Sequence, residues 1–374
     1  MKKNLLYALT AVAMLTGCAK SDVVDSEINK EGNLIGFSTY KNISRGNPVD
    51  DNSEFLTKGN TFGVTAFINT EGVTSPYMGI TTEGIEIIFD GTKWTYANTS
   101  DQAYWPTKDE TLDFYAYAPY NHPSTTKTFD KANGLTLEYT VPAEEAKQVD
   151  LMYASALEQI KPTDKNSVTL PFKHALTQVH FKVGTKTTNL KVDIAANGIQ
   201  IHNLKNSGSL TMKSNQIDDA AWTLTGDATA KYTVTSDAVT GDYTDGTEAN
   251  PYTEIGNANN ALMLLPQEFV AGDGTAENTG AYLTISCKIY QVLADGTTKI
   301  YLHGDAEAFA PITVGISSAL PAEEGGEATQ IWQRNKKVTY NLLFGAGDGV
   351  LFPIEFATEV EEWQPADGGV IEPK

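Results

Sequence analysis

The sequence predicts an all-β protein, most simply two antiparallel β-sandwich domains, and three observations support this fold class. Apolar residues recur with a period of two rather than 3.6 along most of the chain. Turn-forming pairs such as Asp-Gly and Asn-Gly separate the alternating segments. The sequence shows no long amphipathic helix, although residues 143–148 could form one or two helical turns. Short alternating strands joined by turns are typical of two packed antiparallel sheets.

The first element is a secretion signal over residues 1–17. Lys2 and Lys3 precede an apolar run at residues 5–15, which is too short to span a bilayer and has the length of a signal's hydrophobic region. The run ends in Leu15-Thr16-Gly17-Cys18, which resembles a bacterial lipobox. We therefore expect cleavage before Cys18 and acylation of its thiol with palmitate. The alternative is an ordinary signal peptide followed by a chance cysteine.

The second element is a polar tether over residues 18–33. Its composition cannot bury an apolar core, so it predicts a flexible linker between the lipid and the folded body. Acidic residues just after Cys18 resemble the surface-export signals of Bacteroides-type lipoproteins. No later segment reaches the roughly 18 apolar residues of a transmembrane helix. The expected location is the outer face of the cell outer membrane, with the lipid on Cys18 as the anchor.

The remaining chain is long enough for two domains. About 340 residues follow the tether, and domains commonly have 100–200 residues. The most linker-like stretch near the middle is residues 161–166, which combines proline, asparagine and charged side chains. This places an N-terminal sandwich at 34–166 and a C-terminal sandwich at 167–374.

Individual strands follow from the alternation. The clearest candidates for strands are residues 112–118, 179–183, 199–202, 282–290, 338–342 and 352–356. The predicted turns are Asp90-Gly91, Asn133-Gly134, Asn197-Gly198, Ser207-Gly208, Asp295-Gly296 and Asp348-Gly349.

The charge and the cysteines exclude several classes of protein. A formal net charge of -20 repels nucleic acid and anionic membranes, so neither is an expected partner. The chain has two cysteines, and lipid on Cys18 leaves Cys287 without an intramolecular partner. Cys287 shares its parity with Leu283, Ile285 and Ile289, which predicts a buried and chemically inert thiol.

No motif in the sequence indicates an enzyme, a metal site or a cofactor. The five histidines lack zinc-site spacing, and the Asp-Gly pairs lack calcium-loop spacing. Residues 345–349 are glycine-rich but lack the lysine and hydroxyl residue of a phosphate-binding loop. No Gly-x-Ser-x-Gly elbow occurs.

Aromatic residues are concentrated between positions 94 and 120. This set leaves two interpretations open, a carbohydrate-stacking platform or a sandwich core, of which we favour the core. The residues are Trp94, Tyr96, Tyr104, Trp105, Tyr115, Tyr117 and Tyr120.

An ordered series of short phrases resembles the fimbrillin family, the pilus subunits of Bacteroides and related bacteria. Each phrase is weak alone, but their order extends over nearly the whole mature chain. The phrases lie at residues 35–38 with Arg45, 62–67, 104–106, 112–119, 150–154, 171–176, 262–267, 338–340 and 360–363.

The resemblance implies two sandwiches with transthyretin-like or Ig-like topology, export as a lipoprotein, and proteolysis after an arginine near the N-terminus. Arg45, followed by Gly46, fits that arginine. Cleavage there would remove a first strand formed by Leu34, Ile35, Gly36, Phe37, Ser38 and Thr39. Ile35, Phe37 and Thr39 share one parity in this strand, and we expect Ile35 and Phe37 to be buried. A neighbour's strand would fill the groove, so other pilus subunits are the implied partners and the fimbria is the implied final location.

Two functions remain open at this point. The first is a structural pilus subunit that assembles by donor-strand exchange and supports adhesion to host or bacterial surface glycans or proteins. The second is a monomeric, lipid-anchored surface glycan-binding protein. Residues 364–374 contain only the short apolar pair Val370-Ile371, so their length as a donor strand is in doubt. That doubt leaves stalk, tip and accessory subunits all open.

Overall fold

A computed structural model describes ten ranges of the chain. They are residues 33–39, 59–79, 83–106, 110–130, 134–163, 166–212, 220–256, 261–319, 331–345 and, for the backbone only, 355–362.

These ranges contain 24 β-strands and only short 3-10 helices, as the period-two alternation predicts. The strands are β1 Gly36–Thr39, β2 Thr61–Thr70, β3 Val73–Met78, β4 Ile85–Phe89, β5 Trp94–Tyr96, β6 Thr111–Ala118, β7 Thr125–Asp130, β8 Gly134–Thr140, β9 Met152–Gln159, β10 Ser167–Leu170, β11 Lys173–His174, β12 Thr177–Thr185, β13 Leu190–Leu204, β14 Ser207–Met212, β15 Ala221–Thr225, β16 Ala230–Thr233, β17 Val239–Gly241, β18 Thr253–Ile255, β19 Leu262–Leu264, β20 Tyr282–Val292, β21 Lys299–His303, β22 Ala310–Gly315, β23 Lys336–Phe344 and β24 Glu355–Glu362. A 3-10 turn at Glu145–Lys147 confirms the helical turn predicted at 143–148. No helix in the described ranges has the length and apolar character needed to cross a membrane.

The strands form five sheets. They are β1-β10; β11-β9-β6-β2-β4-β5 with β3 added to β2; β18-β12-β23-β24 with β19 added to β12; β16-β13-β20-β21 with β17 on β13 and β22 on β20; and β15-β14-β8-β7. Two strand pairs are parallel, β1 with β10 and β12 with β23, whereas the other pairs of these sheets are antiparallel.

Buried side chains gather in two clusters. The first core consists of Ile35, Phe37, Phe62, Val64, Ala66, Met78, Ile85, Ile87, Phe89, Trp94, Tyr96, Trp105, Leu112, Phe114, Ala116, Ala118, Met152, Ala154, Ala156, Val168, Leu170 and Phe172. The second core includes Tyr115, Tyr117, Leu135, Leu137, Tyr139, Val179, Phe181, Val192, Ile201, Leu283, Ile285, Cys287, Val338 and Leu342.

The seven-stranded sheet separates these two cores. Its central strand β6 sends Phe114 and Ala116 into the first core, while Tyr115 and Tyr117 on the opposite face enter the second. Gly63 lies opposite Tyr117 in β2, and a Cβ atom at Gly63 would stand 2.4 Å from the tyrosine ring. Both faces of β6 are therefore buried, and a residue without a side chain is required where Tyr117 crosses the neighbouring strand.

One sheet joins strands from both sides of the predicted domain boundary. β7 and β8 precede residue 166, yet β8 pairs with β14, which follows it. β10 also follows the boundary, and its Val168 and Leu170 belong to the first core. The division at 166 stays a prediction.

Two predicted turns are wrong. Asn197-Gly198 lies inside β13, which runs on through an irregularity between Ile194 and Ile199. Asn197 has a left-handed φ of 54°, the conformation for which Asn-Gly is also favoured in turns, so the same residues serve a bulge here. Ser207-Gly208 opens β14 rather than a turn. By contrast, Asp295-Gly296 connects β20 to β21 as predicted, while Asp348-Gly349 lies outside the described residues.

The prediction for Cys287 is confirmed. It lies in β20 with no exposed surface, and Leu283, Ile285 and Ile289 on the same face are buried with it. Burial raises the pKa of its thiol to about 12, so the group stays protonated at neutral pH.

We expect the Cys287→Ser variant to lower the free energy of unfolding by about 1–3 kcal/mol, because a hydroxyl would be buried without a partner. Denaturant titration measures this change. In the native wild-type chain, a bulky thiol reagent should react with Cys287 only as fast as the protein unfolds. Rapid labelling without unfolding would contradict the burial.

Candidate assembly site: the N-terminal strand and its groove

The first strand of the protein lies against a single sheet partner. β1 pairs with β10 in parallel, with Gly36 opposite Ser167 and Thr39 opposite Leu170. The two strands make a sheet of their own at the side of the first core. A strand of four residues held by one neighbour is a small unit, and its N-terminal position places it next to the predicted tether.

The backbone of residues 33–36 passes between two other segments. On one side the Ile35 N–H donates to Ala103 O at 2.9 Å, and the Trp105 N–H donates to Asn33 O at 2.8 Å. On the other side the Gly36 N–H donates to Asn166 O at 2.8 Å. The chain therefore changes partner between Ile35 and Gly36, which fixes the register of the strand against both walls.

Phe37 of β1 and Ile35, the residue just before β1, place their side chains in the first core. Ile35 has no exposed surface and Phe37 is 6% exposed, as their shared parity predicted. The Phe37 ring meets three others in edge-to-face contacts at centroid distances of 6.0–6.1 Å, those of Phe62, Tyr96 and Phe114. Edge-to-face geometry aligns positive ring edges with negative ring faces, so this pocket is shaped for an aromatic side chain.

Polar groups complete the groove. The Tyr96 hydroxyl donates to Ile35 O at 2.9 Å, which satisfies a carbonyl inside the core. The Trp94 indole N–H donates to Thr39 Oγ1 at 3.3 Å, and Ser38 Oγ lies 3.1 Å from Thr169 Oγ1. The apolar side chains thus point inward, while the hydroxyl groups of β1 line its outer border.

The wall behind the groove contains a buried hydrogen bond between a histidine and a carboxylate. β10 leads within three residues into β11, whose His174 Nδ1 lies 2.9 Å from both carboxylate oxygens of Asp150. His174 and Asp150 are 4% and 5% exposed, so the interaction is little screened by solvent. This contact joins the chain after β10 to the segment before β9.

Five of the seven clustered aromatic residues are buried, which favours the core interpretation. Trp94, Tyr96, Trp105, Tyr115 and Tyr117 are at most 7% exposed, and Tyr104 and Tyr120 are half-buried. A stacking platform needs exposed rings, so these five rings do not provide one.

The structure covers the predicted strand but not the predicted processing and lipidation sites. Leu34 forms an isolated bridge with Tyr104, and Gly36, Phe37, Ser38 and Thr39 form β1. Cys18, Arg45 and Gly46 lie outside the described residues. The partner strand β10 is not predicted from the sequence, because the alternation in Ser167–Leu170 is too short to distinguish it from a linker.

Comparison with known proteins agrees with this architecture. Residues 48–363 match the family model described as fimbrillin-like. The chain is 25% identical over 223 residues to the fimbrium subunit Fim1C of Phocaeicola vulgatus, a match that covers 52% of this chain and 57% of that protein.

A solved structure shows the same fold. It is that of a fimbrial protein from Bacteroides vulgatus, with a TM-score of 0.62 and 18% sequence identity, and the match covers 88% of this chain and 99% of the solved one. The family is one of fimbrial structural proteins and not of enzymes, in agreement with the absence of catalytic motifs from the sequence. With its family match extending over most of its length, the chain belongs to the fimbrillin-like family.

Proposed function

We propose that this protein is a structural subunit of a cell-surface fimbria and that β1 is a removable strand. The observation that carries the proposal is the placement of Ile35 and Phe37, which an N-terminal strand with one sheet partner inserts into the first core. Removing such a strand exposes an apolar slot together with unpaired backbone groups. A strand donated by another subunit restores both, in the manner of β-augmentation.

In the proposed sequence of events, lipid on Cys18 holds the precursor at the outer membrane with its groove closed by β1. Proteolysis between Arg45 and Gly46 then separates β1 and the lipid from the body. The match to the family model begins at residue 48, just beyond this peptide bond. The released body has an open groove, joins other pilus subunits and supports adhesion from the fimbria.

A monomeric glycan-binding protein is the alternative, and the burial of the clustered aromatic residues weighs against it. The two functions differ in the fate of β1. A monomer would keep β1 in place for its lifetime, whereas a polymer subunit loses it on maturation.

We expect Phe37→Ala to lower the free energy of unfolding of the uncut chain by about 3–5 kcal/mol, because it empties a pocket with three aromatic walls. The matched control is Ser38→Ala, which removes a hydroxyl at the outer border and should change stability by about 0.5 kcal/mol or less. Denaturant titration of both variants makes the comparison. Equal effects would show that β1 contributes no core packing.

We expect Arg45→Ala to block maturation, so that surface material from this variant lacks high-mass, heat-labile ladders. The physical reason is that an uncut β1 keeps the groove filled. Electrophoresis of sheared surface material with and without heating, together with N-terminal sequencing, measures the outcome. Wild-type ladders from the variant that still begin near residue 46 would refute the proposed site.

We expect Cys18→Ser to abolish acylation and to shift the precursor out of the membrane fraction, because the stable anchor is its acyl chains. Metabolic labelling with palmitate and cell fractionation test this. A variant that keeps both the label and the membrane association would exclude Cys18 as the anchor.

A further inference from the structure

The contacts of β1 define what any strand must offer to occupy its groove. We infer that the groove is selective for a donor segment that reads aliphatic, glycine, aromatic, an unspecified residue, hydroxyl, and that runs parallel to β10. This inference rests on the proposed function and names the chemistry of the partner strand. Its support comes from four positions of the groove, taken in order below.

The aliphatic and aromatic positions are set by enclosure. The Ile35 side chain is closed to solvent. The Ile35 carbonyl oxygen accepts a hydrogen bond from the Tyr96 hydroxyl at 2.9 Å. Two residues later, the three rings around Phe37 surround one aromatic side chain edge-on. An aliphatic residue at the Phe37 position would lose the edge-to-face contacts and leave part of the pocket empty.

The glycine position is set by a close approach. A Cβ atom on Gly36 would lie 2.7 Å from Ser167 Oγ, whereas the next nearest atoms, Ser167 Cα and Asn166 O, would be 3.5 and 3.6 Å away. The obstruction is thus a single hydroxyl oxygen on the wall strand. It disfavours a Cβ atom at this position, because the serine hydroxyl would have to rotate away, and this assigns the donor's glycine to the position opposite Ser167.

The groove also forms hydrogen bonds with the backbone of the strand that occupies it. The N–H groups of Ile35 and Gly36 donate to Ala103 O and Asn166 O, so proline is unsuitable at either position. The parallel register continues to Thr39 opposite Leu170, where Trp94 donates to the threonine hydroxyl. Direction and register are therefore both specified, in addition to side-chain size.

Residues 364–374 of this chain do not meet these requirements. A register that places Gly369 opposite Ser167 puts Val370 in the pocket of Phe37 and Gly368 in the site of Ile35. The preferred donor is consequently a different segment, one that carries an aromatic residue directly after its glycine.

The test uses the full chain with a specific protease site inserted after Arg45, cut in vitro. Fluorescent peptides with the sequence of residues 30–42 then compete with the resident strand below the unfolding midpoint, and fluorescence anisotropy reports their binding. We expect the native peptide to exchange in, Gly36→Val to bind about tenfold more weakly or worse, and Phe37→Ala about hundredfold more weakly. The control peptide Ser38→Ala should bind within about twofold of the native one.

Two further comparisons test why the altered peptides bind more weakly. The peptide with Gly36→Ala should bind more weakly to the wild-type body and recover on a Ser167→Ala body, which lacks the obstructing oxygen. A peptide of residues 364–374 should bind at least about tenfold more weakly than the native peptide.

The outcomes separate the two proposals. Exchange of the native peptide together with equal binding of all variants would overturn the selectivity and leave strand removal intact. Failure of the native peptide itself to exchange would instead refute the removable strand and, with it, the selectivity.

Discussion

The first core depends on two buried side chains, Ile35 and Phe37, from a strand at the start of the described fold. No described strand has to pass through this strand to reach its own place in the fold. Ile35 and Phe37 close one side of the first core, yet among the described residues their strand precedes the other strands and pairs in a sheet with β10 alone. Each buried side chain of this size stabilises the folded state by about 1.5–3 kcal/mol. Together the two side chains contribute an amount that is large relative to the marginal stability of most domains.

Two walls of the groove belong to strands that are buried on both faces, β2 and β6. Phe62 and Phe114, which contact Phe37, lie on adjacent strands β2 and β6, and the opposite face of β6 is packed against the second core. A wall that is buried on both faces has little freedom to collapse into an emptied slot. The slot would therefore persist after strand removal, which favours capture of a new strand over local rearrangement.

The protein combines a strongly acidic composition with a covered apolar groove. A net charge of -20 opposes unspecific association of the precursor, and β1 covers the apolar groove. An exposed slot of this kind would otherwise invite pairing with any free strand. Under the proposed function, charge repulsion and a covered groove would together delay assembly, and the side-chain requirements of the groove would limit which strand can replace β1.

Properties that depend on near neighbours along the chain follow from the amino-acid sequence alone. Alternation located β6, β12, β20 and β23, and the parity of Cys287 predicted its burial. The same argument placed Ile35 and Phe37 on the inward side of β1, because the side-chain period of a strand is local.

Contacts between residues far apart in the sequence fix which strands pair and which side chains cover the second face of each sheet. β10 lies about 130 residues from β1 along the chain and pairs in parallel, a contact with no local signature. Tyr115 and Tyr117 alternate with apolar residues as if they faced solvent, yet a second core covers them. Asn197-Gly198 has the composition of a turn but forms a bulge, because strand β20 pairs with β13 on both sides of it. In each case the deciding contact is made by residues distant in sequence, which periodicity and turn chemistry do not register.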